Sequence, residues 1–269
     1  MTYREAMAAD LAVFVVSLKN GLTYRASRAL TIAMTIVWAL IYIAVWYAVY
    51  TFSGSSAIGG ISLVSMIAYF LITGAISMVG WWGVINRISD DVQQGTMIRS
   101  FIRPMGYLRQ LFVSALPDDL ITFGFGAAPI VALTVVFGGL DPGALAVALF
   151  AVQIVIAYLV VNLIGFIVGS MSVYLTNIWG IANALSTVFA MLGGGVVPLL
   201  LFPSSAVAVL MLTPLPLLLY VPAATLLGMM TTWEAIGSIA VGAAWLAGLV
   251  VASRLVWSKV MRAMNAVGV

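Results

Sequence analysis

The chain has no cysteine and no histidine. Disulfides, thiol nucleophiles, Ser-His and Cys-His catalytic arrangements, haem-ligating imidazoles and His-bearing metal sites are therefore excluded. Charge is scarce as well: 7% of the 269 residues are Asp, Glu, Lys or Arg, against about 25% in a soluble domain. No charged residue occurs from Ala29 to Asn86, and none from Pro142 to Trp233. The lysines are Lys19 and Lys259, and no G-x-x-x-x-G-K-[ST] segment is present, so no phosphate-binding loop of that kind is expected in this chain. Internal repeats, low-complexity tracts and a soluble domain are not found either. The net charge of +3 is small and gives no reason to expect a nucleic-acid partner.

What is present is apolar: 64% of the residues are hydrophobic. A bilayer core takes about 20 such residues per helix. The basic residues fall in three clusters: Arg4, Lys19, Arg25 and Arg28; Arg87, Arg99, Arg103 and Arg109; and Arg254, Lys259 and Arg262. Lys and Arg collect on the cytoplasmic side of spans because carrying them across is costly. The pattern predicts a multi-pass protein of the cytoplasmic membrane, with both termini and the 87–109 island inside.

The expected fold class is an all-α integral membrane protein with six transmembrane helices, at about 29–51, 61–85, 118–138, 144–170, 180–201 and 233–256. Residues 3–24 precede them as an amphipathic helix in the headgroup plane, with Met7, Leu11, Phe14, Leu18 and Leu22 on its apolar side. A signal peptide is the competing reading. It fits poorly, because Glu5 and Asp10 stand where a basic n-region belongs. The uncharged loop at 52–60 and the turn at 138–143 are expected outside, and Trp81-Trp82 is read as an interfacial anchor. Pro117, Asp118 and Asp119 read as the opening of the third span, where proline and acids suit a helix N-terminus. Pro203, Pro214, Pro216 and Pro222 break 202–232 into pieces too short to cross, so two short re-entrant helices are expected there.

The island itself is amphipathic. Ile88, Val92, Ile98, Phe101 and Ile102 alternate with polar residues; Ser89, Asp90 and Asp91 read as its helix start and Pro104 as its end. Two readings stay open at this point: a connector resting on headgroups, or a short helix that docks on a soluble partner.

Leu18-Lys19-Asn20 to Tyr24-Arg25, Gln94-Gly95-Thr96 to Arg103-Pro104, Gly193-Gly194 to Pro198, Phe202-Pro203, Leu215-Pro216, Tyr220-Val221-Pro222 and Arg254-Leu255-Val256-Trp257 together resemble the permeases of type-2 ABC exporters. The likeness is to the small six-span branch related to drug-resistance and sodium-efflux permeases, and it covers essentially the whole chain. It implies an elbow helix at 3–24, a coupling helix at 87–104 and an external re-entrant hairpin at 202–232. ATPase coupling would then fall to Asp90, Asp91, Gln93, Gln94, Gly95, Thr96, Arg99, Arg103 and Pro104. Pro203, Pro214, Pro216, Tyr220 and Pro222 would build the hairpin. Two ATPase subunits and a second permease, identical or homologous, would be partners. ATP and Mg would be bound by the ATPase, with no catalytic residue, cofactor or metal site in this chain. The link between spans four and five is uncharged here, where relatives carry charge, so a second coupling contact is not expected there.

Ala182, Ser186, Ala190 and Gly194 recur every four residues, and small side chains let helices approach closely. They are read either as packing within one subunit or as a seam between subunits beside the pathway. Gly165 and Gly169 read as packing within the chain. Asp118 and Asp119 fall at the inner surface. Asn162 and Asn183 are read as bonding neighbouring helices or touching substrate, and Glu234 as opening the sixth span or meeting an exiting cation. An almost charge-free path implies an apolar, amphipathic or lipid-like cargo. An ion-coupled carrier is a rival, but it would need buried acids or broken spans at mid-membrane. A scaffold subunit fits the amphipathic island. A membrane-embedded hydrolase lacks both histidine and a mid-membrane acid pair.

Overall fold

The computed structural model describes residues 3–23, 25–78, 82–97, 106–138, 142–175 and 177–266. Helix dominates. The helices are α1 (Tyr3–Thr23), α2 (Arg25–Ser53), α3 (Leu63–Ser77), α4 (Trp82–Gln93), α5 (Tyr107–Gly138), α6 (Ala144–Ser170), α7 (Trp179–Leu192), α8 (Ser204–Leu210), α9 (Leu215–Leu218), α10 (Tyr220–Leu226) and α11 (Thr232–Ala266). Short 3₁₀ turns cover Met171–Val173 and Leu199–Leu201. Where a plain loop is expected at 52–60, a two-residue antiparallel ladder forms, Ala57–Ile58 (β1) with Ile61–Ser62 (β2). The Tyr50 hydroxyl donates to the Ile61 carbonyl at 2.7 Å and fixes that ladder to the end of α2.

Among the described residues, three helical stretches are long and apolar enough to cross a bilayer: Ile32–Ser53, Ala144–Val173 and Thr232–Met264. Their surfaces are mostly uncovered by protein. Trp38, Leu40, Tyr47, Val155, Val251 and Leu255 are all more than half exposed. Apolar surface this continuous is stable when lipid covers it. Leu63–Ser77 and Trp179–Leu192 are shorter apolar helices. The 14 residues of α7 rise about 21 Å, less than the ~30 Å hydrocarbon core.

Four boundaries differ from the sequence reading. The second expected span, 61–85, is divided: α3 ends at Ser77, and Trp82 to Ile85 belong to α4. Ser89, Asp90 and Asp91 do not open a helix; they lie toward the C-terminal end of α4, which already begins at Trp82. The reason is apolar spacing: Val84, Ile85 and Ile88 are buried against neighbouring helices and draw the helix back to Trp82. Pro117, Asp118 and Asp119 do not open a helix either. α5 starts at Tyr107, because Tyr107, Leu108 and Leu111 pack into a cluster with α4, α6 and α11. Helix α7 stops at Leu192 instead of continuing toward residue 201.

Packing is organised on α6, which α11 covers along its length and against which α4, α9 and α10 also rest. Gly242 of α11 sits so close to Ile156 that an added Cβ would come within 2.7 Å of its Cγ2. Gly169 is likewise pressed on Ile88 of α4. The buried Gln153 side chain donates to Ser238 Oγ at 3.2 Å and to the Ala235 carbonyl at 3.3 Å, tying α6 to α11.

The tightest point is the turn after α7. The hydroxyl of Tyr69, a fully buried residue of α3, donates to the Gly194 carbonyl at 2.6 Å. The Tyr220 amide donates to the Gly193 carbonyl at 3.1 Å. Gly194 has φ +87°, and a Cβ there would lie 2.6 Å from the Tyr69 hydroxyl and 2.9 Å from the Tyr220 Cβ. A Cβ at Gly193 would meet the Phe189 and Leu215 carbonyls. This turn brings Leu199, Leu217, Tyr220 and Val221 into the same core as Tyr69 and Phe70. Gly194→Ala is therefore expected to lower stability by about 2 kcal/mol or more, combining backbone strain with overpacking. Thermal unfolding of the purified chain in detergent measures this. Gly248→Ala, where nothing lies within 4 Å, is the control and should leave the transition in place.

Candidate functional site

The end of α4 is locked from within. Thr96 Oγ1 donates to Asp91 Oδ1 at 2.9 Å, and the Tyr107 hydroxyl donates to Asp91 Oδ2 at 2.8 Å. Burial, and after it the facing Asp91 carboxylate, push the Tyr107 hydroxyl far above its ordinary range, so it keeps its proton and donates. The turn closes on Gly95 at φ +67°, with the Gln94 amide bonded to the Asp90 carbonyl and the Gly95 amide to that of Val92. A glycine in the left-handed region is the common end of a helix. Met97, 1% exposed, then drops into the cluster of Val84, Ile88, Leu111 and Phe166. The Tyr107 ring stacks on Trp257 of α11 with centroids 4.9 Å apart. One exposed turn is thus fastened to α4, α5, α6 and α11.

Of the residues assigned to coupling, Asp90, Gln93, Gln94 and Gly95 are exposed, while Asp91 and Thr96 are half-buried and engaged with each other. Asp91 thus acts inside the turn. Arg99, Arg103 and Pro104 lie outside the described residues. Arg87 donates to Ser114 of α5, and Arg109 pairs with Asp10, joining α5 to α1.

The small-residue face of α7 turns inward. Ala182 is fully buried, Gly194 forms the turn described above, and Ser186 and Ala190 are half-buried. The face left exposed carries Ile181, Ala184, Val188 and Met191. Ser186 and Ala190 line a cavity of about 490 Å³ with Asp119, Phe123, Tyr158 and Phe189. A second cavity of about 590 Å³, between α2 and α3, shares Ser77, Ala190 and Leu219 with it. In the first, the Tyr158 hydroxyl donates to Asp119 Oδ2 at 2.9 Å. Asp119 therefore bonds to α6 and faces a cavity.

Among the hairpin residues, Pro216, Tyr220 and Pro222 are buried, Pro214 is half-buried and Pro203 is exposed. Pro203 precedes α8 and Pro214 precedes α9. Pro216 and Pro222 sit in the first turns of α9 and α10, where a missing N–H costs nothing. Asn162 and Asn183 each donate to a carbonyl four residues back in their own helix, Tyr158 and Trp179, and not to neighbouring helices. Glu234 closes a reciprocal cap on α11: its carboxylate accepts from the Thr231 amide and hydroxyl, and its own amide donates to Thr231 Oγ1. Among the described residues, no three acidic side chains gather as a metal site would need.

Tyr69, Tyr107 and Tyr158 went unnoticed in the sequence. Each is a tyrosine beside an apolar run whose hydroxyl must find a partner when buried. The residue type was visible; the partners, up to 125 positions away, were not.

Long apolar helices bare of protein cover, with most charge kept to their ends, define a membrane-embedded helical protein. The family model described as ABC-2 family transporter protein matches residues 36–268. The chain belongs to that family and is an ABC transporter permease, a membrane transport subunit that works with an ABC ATPase. Comparison with curated proteins gives no match.

Removing the Asp91 carboxylate leaves the Tyr107 and Thr96 hydroxyls without their acceptor, a loss of about 1–3 kcal/mol for a buried group. Asp91→Ala is expected to raise amide exchange across residues 92–97 roughly tenfold or more, while the 193–196 turn stays protected. Hydrogen exchange read by mass spectrometry measures both.

Proposed function

We propose that the chain is the membrane-spanning subunit of an ATP-driven exporter, built from two permeases and two ATPases in the cytoplasmic membrane. In this reading it crosses six times, the crossings expected at 29–51, 61–85, 118–138, 144–170, 180–201 and 233–256 being carried by α2, α3, α5, α6, α7 with the turns that follow it, and α11. Residues 3–24 are the elbow, 87–104 the coupling helix and 202–232 the external re-entrant hairpin. Substrate enters between the permeases from the cytosol or inner leaflet. ATP and Mg, held by the partner subunits, bias two access states by differential binding.

The observation that carries this reading is the lock at Asp91. A loop that rests on headgroups needs no rigid tie to four helices. A loop that receives force from an ATPase does. Asp90, Gln93, Gln94 and Gly95 stand exposed at its tip for docking. Arg99, Arg103 and Pro104 extend the proposed contact. For the second permease, the exposed Ile181, Ala184, Val188 and Met191 face of α7 is the better candidate, and Ser186 and Ala190 belong to the pathway. The rival carrier reading would draw on the half-buried Asp119, which accepts from Tyr158 of α6; membership of the ABC-2 family supports the ATP-driven reading instead.

Two measurements test the reading. Asp90→Lys is expected to cut co-purification of the ATPase about tenfold, as loss of one docked charge pair can, and to abolish ATP-driven transport without changing thermal unfolding. Full retention of both would favour the headgroup reading. Orientation is tested separately, and the absence of native cysteine makes the test clean. Cysteines placed at Ser55 and Ser205 should react with an impermeant thiol reagent from outside intact cells, and one at Gln94 should not. Labelling at Gln94 would sink the six-span arrangement.

A further inference from the structure

The cavity between α3, α5, α6 and α7 is large enough for a drug-sized molecule, at about 490 Å³. Its wall is almost wholly apolar. Among the described residues that line it, Asp119 is the one charged group. The Tyr158 hydroxyl engages Asp119 Oδ2 at 2.9 Å. Arg87 is committed to Ser114, and no Lys or Arg among the described residues forms an ion pair with Asp119. Asp118 and Arg87 are the other charges that act on it. Three rings also line the space: Phe123 of α5, Tyr158 of α6 and Phe189 of α7.

This combination selects by charge. A neutral ligand that displaced water from the cavity would leave a carboxylate desolvated with only the more distant Arg87 charge to offset it, which is costly. An anion would be repelled. A cation gains both the carboxylate and the faces of the rings, and a diffuse cation sheds its water most easily. Placement agrees with an amphiphile. Asp119 stands at the start of a run with no charge from Leu120 to Leu140, so a charged head beside it leaves the apolar body among Phe123, Ile154 and Phe189.

We propose that this cavity binds an amphiphilic cation, a quaternary ammonium or phosphonium with an apolar body, with the Asp119 carboxylate as its counter-ion; the further step, its export, rests on the function proposed above. Binding is a property of the permease alone and is tested without the ATPase.

The full chain in phosphatidylcholine nanodiscs is titrated with tetraphenylphosphonium, with empty discs as reference. Tetraphenylborate, of the same shape and opposite charge, is titrated in parallel. Asp119→Asn keeps an acceptor for Tyr158 and removes the charge. It is expected to weaken saturable phosphonium binding about tenfold or more, a pair in a dehydrated site being worth more than one at a surface. Ser186→Phe, which fills the cavity and leaves Asp119 in place, should weaken it as well. Thermal unfolding of both variants checks that they fold. Tetraphenylborate should show no saturable binding to the parent. Equal phosphonium binding by the parent and Asp119→Asn overturns the proposal, as does tetraphenylborate binding as tightly as the cation. Failure here leaves ATP-driven transport untouched, and failure of that transport leaves this titration untouched, so the two readings fall separately.

Discussion

A single hydroxyl-to-carbonyl contact, Tyr69 to Gly194, anchors the proline-broken segment that follows α7. A helix that stops inside an apolar medium strands its last carbonyls, and each must find a donor. Here α3 supplies one and the Tyr220 amide supplies another. The geometry works because the turn has no side chains of its own to accommodate. With the carbonyls satisfied, Leu199 and most of the stretch from Pro216 to Thr225 fold back as core, while α8 stays at the surface. The short α7 and the buried prolines are two sides of one arrangement: the chain ends a helix early and fills the remaining depth with three small ones.

Polar groups elsewhere follow the same economy. Asn162, Ser170, Asn183 and Thr187 each return a hydrogen bond to a carbonyl four residues back on their own helix. Such local bonds quiet a polar atom in lipid without committing it to a neighbour. Polar contacts between helices are few and are made where position has to be fixed: Gln153 to Ser238, Arg87 to Ser114, Tyr158 to Asp119, Tyr107 to Asp91. Most side-chain hydrogen bonds stabilise helices singly, and a handful set how the helices sit.

The long apolar runs were plain in the sequence, since periodicity and charge gaps are local properties. Helix α6 falls where its run of apolar residues places it, and Glu234 caps α11 as its spacing from Thr231 allows. Boundaries near charge were not legible. Ser89, Asp90 and Asp91 carry the composition of a helix start, yet buried Val84, Ile85 and Ile88 pull the helix two turns earlier. Pro117 reads as a first-turn residue, yet Tyr107 and Leu111 are held by partners on other helices and the helix runs through the proline. Of the four small residues spaced along α7 and the turn after it, Ala182 is buried, Ser186 and Ala190 line a cavity, and Gly194 meets a neighbour at close range. Which neighbour approaches it depends on α3 and α10, far off in the chain.

Helix α11 has 35 residues, from Thr232 to Ala266, and at the usual rise it is about 52 Å long, well beyond the ~30 Å of a hydrocarbon core. One end is stitched by Thr231 and Glu234, and near the other Trp257 lies flat on Tyr107. Were it to tilt on α6 as a rigid rod by about 10° about its middle, each tip would travel roughly 4–5 Å. Such a tilt would carry the turn beside Trp257 and the cap at Thr231 in opposite directions.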